Sequence, residues 1–153
     1  MSGNVEALYQ EIILDHYKHP RGSGRLAEPA GESFQVNPTC GDEVTVGIRL
    51  DEHGHLHIGY EGQGCSISQA SASVMSELLE DASVEELARA ERAFLEMMHS
   101  KGSAQPDEDI LGDGIAFAGV SKYPARIKCA LLPWMALQDA RHKAGIEFDK
   151  TEG

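Results

Sequence analysis

The sequence predicts an α+β protein in which one small, three-stranded antiparallel sheet packs against several helices. Apolar residues recur at helical spacing near the start of the 153-residue chain. They alternate with polar residues between positions 33 and 60, and they return to helical spacing from position 66 onward. Strands gathered in one stretch, with helices in others, are typical of a sheet covered by helices. We expect a single domain over residues 1–153, because this length suits one hydrophobic core.

The first half of the chain is predicted to form one helix and a three-stranded meander. Strict alternation predicts strands over residues 33–36, 44–50 and 56–60, with a turn over 51–54. Before them, a helix that ends ahead of His19 and Pro20 is indicated by apolar residues at i, i+3, i+4 and i+7: Val5, Leu8, Tyr9, Ile12, Ile13 and Tyr17.

Two more helices and an irregular segment follow the sheet. Residues 66–80 are rich in serine and alanine and lose the period of two, which predicts a helix that packs closely. Ser83 and Glu86 have the spacing of a capping box, so another helix should begin there. Residues 100–121 are rich in glycine, aspartate and serine without a clear period, and we expect a mostly irregular excursion.

The last helix contains a local conflict at Pro133. Pro124 suits the first turn of this helix, and Gly145 marks its end. Pro133 has no N–H to bond the carbonyl of Cys129, so we expect a kink near this point or a late helix start.

Charge, hydropathy and cysteine count exclude several classes of protein. Thirteen basic and 25 acidic residues give a net charge of −12, which would repel nucleic acid and anionic membranes. The longest apolar run, residues 130–137, is too short to span a bilayer, and residues 1–14 lack the pattern of a secretory signal. Three widely spaced cysteines are a poor disulfide framework. We therefore expect a cytoplasmic protein.

The meander brings two of the three cysteines to one edge of the sheet. Cys40 lies in the connection between the first two strands, and Cys65 follows the third strand directly. Cys129 can reach the same edge if the N-terminal turn of the last helix packs there. The spacing of Cys40 and Asp42 allows a thiolate and a carboxylate from one turn to bind a single cation.

These residues form a candidate metal site, with small buried apolar cysteines as the alternative. Three thiolates and one carboxylate would repel one another without a cation. Soft sulfur ligands with one oxygen suit tetrahedral Zn²⁺, although the same donors could hold an iron–sulfur cluster. Arg126 lies three residues before Cys129, on the same helix face, where its charge would offset part of the remaining negative charge.

Two groups of histidines have simpler interpretations than metal binding. His53, His55 and His57 alternate along the third strand, but they lie opposite its apolar row, so we expect them to be solvated. His16 and His19 lie where the first helix ends, and we expect cap or loop contacts.

Four ordered stretches, from about Leu8 to Ala144, resemble the SufU branch of the U-type iron–sulfur assembly proteins. They are Leu8-Tyr9 with Ile13-Leu14-Asp15-His16-Tyr17 and His19-Pro20-Arg21; Asn37-Pro38-Thr39-Cys40-Gly41-Asp42; Gly62-Gln63-Gly64-Cys65-Ser66-Ile67-Ser68; and Tyr123-Pro124-Ala125-Arg126-Ile127-Lys128-Cys129.

The resemblance implies a SufU/IscU-like fold and a zinc-dependent sulfurtransferase. Cys40, Asp42, Cys65 and Cys129 would bind zinc, and Cys40 would accept sulfur from the persulfide of a PLP-dependent cysteine desulfurase of the SufS type. Because Cys40 lies on a glycine-flanked turn, our own hypothesis is that a ligand of the desulfurase replaces Cys40 on the metal and that Arg126 stabilises the departing negative charge. The resemblance suggests histidine as the incoming ligand. The sulfur would then pass to downstream cluster-assembly proteins.

The main alternative is a scaffold on which a [2Fe–2S] cluster is assembled, as in the related IscU branch. Two departures from that branch favour sulfur transfer. Lys128 precedes Cys129 where IscU scaffolds carry histidine, and residues 122–126 replace their chaperone-recognition stretch. The region around 95–118 also matches an insertion typical of the SufU branch.

Overall fold

A computed structural model describes residues 2–148 of the chain, and it confirms the predicted α+β architecture. A three-stranded antiparallel sheet is combined with five α-helices in the described part. In chain order the elements are α1 (Ser2–Lys18), β1 (Gly31–Asn37), β2 (Asp42–Leu50), β3 (Leu56–Gln63), α2 (Ser66–Leu79), α3 (Val84–Met98), α4 (Glu108–Leu111), the 3₁₀ segments Gly112–Ala118 and Val120–Lys122, and α5 (Pro124–Lys143).

The sheet has the predicted meander order β1-β2-β3. Asn37 pairs with Asp42 across β1 and β2, and Glu43 pairs with Gln63 across β2 and β3. The turn that carries Cys40 and the end of β3 therefore lie at one edge of the sheet, as expected. On the face that packs against helices, the buried side chains include Val44, Val46, Ile48, Leu56, Ile58 and Tyr60.

The core lies between that face of the sheet and helices α2, α3 and α5. Phe94 stacks on Trp134 with ring centroids 4.4 Å apart and meets Phe117 edge-on at 5.7 Å. Small residues of α2 permit the close packing expected from the sequence, since Ser71 Oγ donates a hydrogen bond of 2.6 Å to the Ala130 carbonyl on α5.

Helix α5 runs from Pro124 to Lys143 with Pro133 inside it, so the alternative of a late start is wrong. Pro124 occupies its first turn, as predicted. Proline removes one backbone hydrogen bond, but Pro133 itself is buried and its neighbours Trp134 and Leu137 are fully buried. Packing of this face against the core outweighs the lost bond.

The expectation of a mostly irregular segment over residues 100–121 is wrong for its second half. Residues 108–122 form α4 and the two 3₁₀ segments, and Leu111, Phe117 and Val120 are buried. Such short turns lack the 3.6-residue period that marks a longer helix, so the apolar spacing gave no signal. Between α3 and residue 122, residues 99–107 are the stretch without regular structure, and the Asp107 side chain caps α4 by accepting the Asp109 N–H.

Within the described part of the chain, no helix has the length and apolar character needed to cross a bilayer.

Candidate metal centre

Asp42 connects the ends of β2 and β3 at the cysteine-bearing edge. It is the first residue of β2, and only 1% of its surface is exposed. Its Oδ1 accepts a hydrogen bond of 2.8 Å from the backbone N–H of Cys65, and its Oδ2 lies 3.8 Å from Cys65 Sγ. The residue that follows β3 is thereby held against the start of β2.

Two glycines allow the backbone to form this arrangement. Gly64 has a φ of +144°, and a Cβ at this position would lie 2.2 Å from Asp42 Oδ1. Gly41 has a φ of +71° in the turn between the two predicted ligands Cys40 and Asp42. In that turn, the backbone N–H groups of Cys40 and Gly41 both donate to the Asn37 carbonyl, at 3.2 and 2.9 Å.

Cys129 enters the site from the second turn of α5. It is 4% exposed, and its Sγ lies 3.5 Å from the Sγ of Cys40, whose side chain is exposed. All three cysteines are free thiols. The candidate ligand atoms of Cys40, Asp42 and Cys129 all lie within 4.8 Å of one another. Cys65 falls outside this group of three but contacts it through Asp42.

The environment of Cys129 disfavours an ionised thiol in the absence of a cation. Burial raises the pKa of Cys129 far above its usual range, and the neighbouring Asp42, Cys40 and Cys65 raise it further. A divalent cation would reverse this preference, because a metal ligand must be the thiolate. Three sulfurs and one carboxylate on a compact edge fit zinc, which binds sulfur and oxygen in tetrahedral geometry.

Arg126 lies on the first turn of α5 and is exposed. It is one helical turn before Cys129, as the sequence indicates, but within the described residues no ion pair or side-chain hydrogen bond holds its guanidinium. Its part in the site stays a prediction.

His16 corrects the expectation of a simple cap or loop contact. It is fully buried, with Nδ1 2.7 Å from Ser73 Oγ on α2 and Nε2 2.8 Å from Asp113 Oδ2 in the first 3₁₀ segment. These partners are 57 and 97 residues away, so no local pattern could have shown them. His19 is 75% exposed and lies 3.3 Å from Asp15, which agrees with a contact at the helix end.

His57 corrects the expectation that all three clustered histidines are solvated. Its Nε2 lies 2.9 Å from Asp51 and its Nδ1 2.7 Å from Glu80, and the side chain is only 25% exposed. His53 and His55 are exposed, as expected. Among the described residues, no group of candidate metal ligands contains more than one of these three histidines.

Residues 8–130 match the family of NifU-like N-terminal domains. The chain belongs to this family. It is 42% identical to the zinc-dependent sulfurtransferase SufU of Bacillus subtilis over 137 residues, which cover 90% of this chain and 91% of that protein. It is 39% identical to the iron–sulfur cluster assembly scaffold protein IscU of Streptococcus pyogenes, covering 87% of this chain and 82% of the relative.

Solved structures of family members share the fold. FiSufU of Fervidobacterium islandicum superimposes with a TM-score of 0.75 at 35% identity, covering 85% of this chain and 93% of that one. The N-terminal part of a NifU-like protein of Brucella abortus gives a TM-score of 0.77 at 28% identity, covering 92% and 96%. The candidate metal site of this NifU-like chain therefore lies on a fold that is known from solved structures of similar proteins.

Proposed function

We propose that this NifU-like protein is a zinc-dependent sulfurtransferase of cytoplasmic iron–sulfur cluster biogenesis. It accepts sulfur from a PLP-dependent cysteine desulfurase of the SufS type and passes it to downstream cluster-assembly proteins. The observation that carries the proposal is the asymmetry of the site: Cys40 is exposed, whereas Cys129 and Asp42 are buried beside it. The 42% identity to a relative named as a zinc-dependent sulfurtransferase supports the same conclusion.

Cys40, Asp42, Cys65 and Cys129 are the ligands we assign to zinc. When bound, zinc would stabilise the thiolates of the three cysteines at neutral pH. Asp42 is held by the Cys65 N–H and Cys129 by burial on α5, so these two residues would keep their positions as metal ligands. Cys40 lies on a glycine-containing turn at the surface, so it would be the ligand that a histidine of the desulfurase could replace.

The transfer step needs no external oxidant or reductant. The Cys40 thiolate attacks the outer sulfur of the partner's persulfide, and a new sulfur–sulfur bond forms at Cys40. The old sulfur–sulfur bond breaks, and the partner's cysteine leaves as a thiolate. Cys40 then carries the persulfide, and the proton that was on the outer sulfur stays with it.

Arg126 is proposed to stabilise the departing thiolate of the partner's cysteine. It is exposed on the helical turn that precedes Cys129, and its guanidinium is not engaged in an ion pair within the described residues. A cation one helical turn from Cys129, whose sulfur lies 3.5 Å from that of Cys40, would lower the energy of the negative charge that leaves.

The second candidate function is a scaffold that holds a [2Fe–2S] cluster on the same four side chains. The names of several relatives, including that of Streptococcus pyogenes, favour it. Coloured protein after anaerobic reconstitution, with transfer of the cluster to an apo-protein, would support this candidate instead.

The sulfurtransferase proposal is tested by turnover of a SufS-type desulfurase with this protein as acceptor. We expect Cys40→Ala to lose the activation seen with the unaltered protein, because the attacking sulfur is gone. Thr39→Ala, which alters the exposed neighbour on the same turn, should retain it. Unchanged activation by Cys40→Ala would show that Cys40 is not the acceptor.

A further inference from the structure

The face of the sheet that points away from the helices carries three rows that span all three strands, with the two-strand pair Arg49–His57 beyond the first of them, and one loop of the chain covers only part of this face. The first row is Glu32, Gly47 and Gly59; the second is Phe34, Thr45 and Glu61; the third is Val36, Glu43 and Gln63. The third row is the one nearest Cys40 and Cys65, because Glu43 follows Asp42 and Gln63 lies two residues before Cys65.

The first row is covered by residues 24–30 of the loop between α1 and β1. Its two glycines leave room for this loop, since a Cβ on Gly59 would lie 2.6 Å from the backbone N of Leu26, and one on Gly47 3.2 Å from Cβ of Pro29. Arg25 in the same loop pairs with Glu32 at 2.5 Å and approaches Glu61 at 3.9 Å. A basic side chain beside an apolar one thus covers this end of the face.

Apart from the approach of Arg25 to Glu61, the second and third rows are left open. Phe34 is 59% exposed and Val36 49% exposed, and both belong to the edge strand β1. A groove of about 320 Å³ runs along these rows, with Phe34 on one side and Glu43, Glu61 and Gln63 on the other. Among the described residues that line this outer-face groove, none is basic. Both ends of the face present carboxylates, Glu32 at the covered end and Glu43 and Glu61 in the open rows, and the open rows add the exposed apolar side chains of Phe34 and Val36.

From this arrangement, and resting on the proposed function, we propose that the outer-face groove docks the persulfide-donating desulfurase through a segment in which an arginine or lysine lies beside an apolar side chain. The basic group of the partner pairs with Glu43 and Glu61, and its apolar neighbour covers Phe34 and Val36. A partner bound in this groove contacts the third row, and it therefore lies at the same edge of the sheet as Cys40. The net charge of −12 adds long-range attraction for a basic partner surface.

The test measures the concentration of this protein that half-saturates a SufS-type desulfurase, together with turnover at saturation. We expect Glu43→Lys with Glu61→Lys, and separately Phe34→Ala, to raise the half-saturating concentration about ten-fold or more. Turnover at saturation should be preserved, because Cys40 and the metal ligands are untouched. The charge-reversal variant should also lose much of the salt dependence of binding.

Matched controls separate docking from folding and from unspecific charge effects. Glu52→Lys, in the β2–β3 turn at the opposite end of the sheet, and Met135→Ala, an exposed apolar residue of α5, should behave like the unaltered protein. Metal content and circular dichroism should match in all variants. Unaltered half-saturation in the groove variants, or a change in their oligomeric state instead, would overturn the docking proposal while leaving the sulfurtransferase proposal standing. Failure of the unaltered protein to bind or activate the desulfurase would overturn both.

Discussion

At the scale of single residues, the candidate site depends on one close contact between backbone and side chain. Gly64 gives the Asp42 carboxylate the room to accept the Cys65 N–H. The residue types of the site could be predicted from the sequence, since the Cys40-Gly41-Asp42 spacing indicated a shared cation. The need for glycine at position 64 could not be predicted, because it arises from the contact with Asp42 across two strands.

Replacing Gly64 with alanine should destabilise the fold and disturb the site. The positive φ costs about 1–3 kcal/mol for a residue with a Cβ, and the clash with Asp42 adds to this cost. Gly54→Ala is the matched control, because Gly54 also has a positive φ but has nothing within 4 Å of its would-be Cβ. Urea unfolding and zinc content are the measurements. Equal stability and zinc content of the two variants would contradict the proposed contact.

A second residue-scale prediction concerns the pH dependence given by His57. Hydrogen bonds to Asp51 and Glu80 raise the pKa of His57 above its usual value. Its contribution to stability is therefore fully present below the unfolded-state pKa of about 6.5 and is lost as the pH rises through the raised folded-state pKa. His57→Gln should lower the melting temperature more at pH 5.5–6 than at pH 9. At pH 5.5–6 the pH is below the unfolded-state pKa of about 6.5, so the full contribution of His57 is present there.

The control for His57 is His53→Gln, whose side chain is 73% exposed in the same hairpin. It should follow the melting temperature of the unaltered protein across the pH range. A pH-independent loss of stability in His57→Gln would indicate that packing, and not charge, accounts for its role.

At the scale of elements, a buried ion pair joins α3 to α5. Arg141 donates to both carboxylate oxygens of Glu91, at 3.1 and 3.3 Å, and the two residues are only 6% and 4% exposed. Desolvation raises the pKa of Glu91, while Arg141 acts in the opposite direction. Arg141 also lies over the ring of Phe148, 3.8 Å from its centroid, so the pair also holds the segment after α5.

Breaking this pair from one side should cost far more than replacing both partners. Arg141→Met leaves a buried carboxylate without its cation, and we expect a loss of about 3–5 kcal/mol in unfolding free energy. The double variant Glu91→Leu with Arg141→Met should recover most of this loss, because neither charge remains. Chemical denaturation of both variants measures the difference. Additive losses would contradict a coupled pair.

The long elements could be predicted from the sequence, and the short or conflicted ones could not. α1, the meander and the capping box of α3 follow local patterns of apolar spacing and caps. Continuity of α5 through Pro133 and the turns over residues 108–122 depend on packing against the core, which outweighs local propensity. The burial of His16 depends on partners on two other elements.

At the scale of the whole molecule, the extent of the buried core predicts that the fold persists when the metal is removed. The aromatic cluster of Phe94, Phe117 and Trp134 lies among fully buried aliphatic residues, and the candidate ligands lie at one edge of the sheet. The metal site thus adjoins the hydrophobic core but is not part of it. A purely structural zinc site would instead supply folding energy outright.

Chelation of the metal should therefore lower the melting temperature without unfolding the protein at about 25 °C, because ligand binding adds to a fold that is already stable. Far-ultraviolet circular dichroism before and after chelation measures this. Loss of the helical signal on chelation at that temperature would show that the metal is needed for folding.

The central claim, zinc-dependent acceptance of sulfur, is tested most directly by elemental analysis of the purified protein combined with desulfurase turnover in its presence and absence. One zinc ion per chain together with strong activation is the predicted result. Iron with acid-labile sulfide, and no activation, would contradict it.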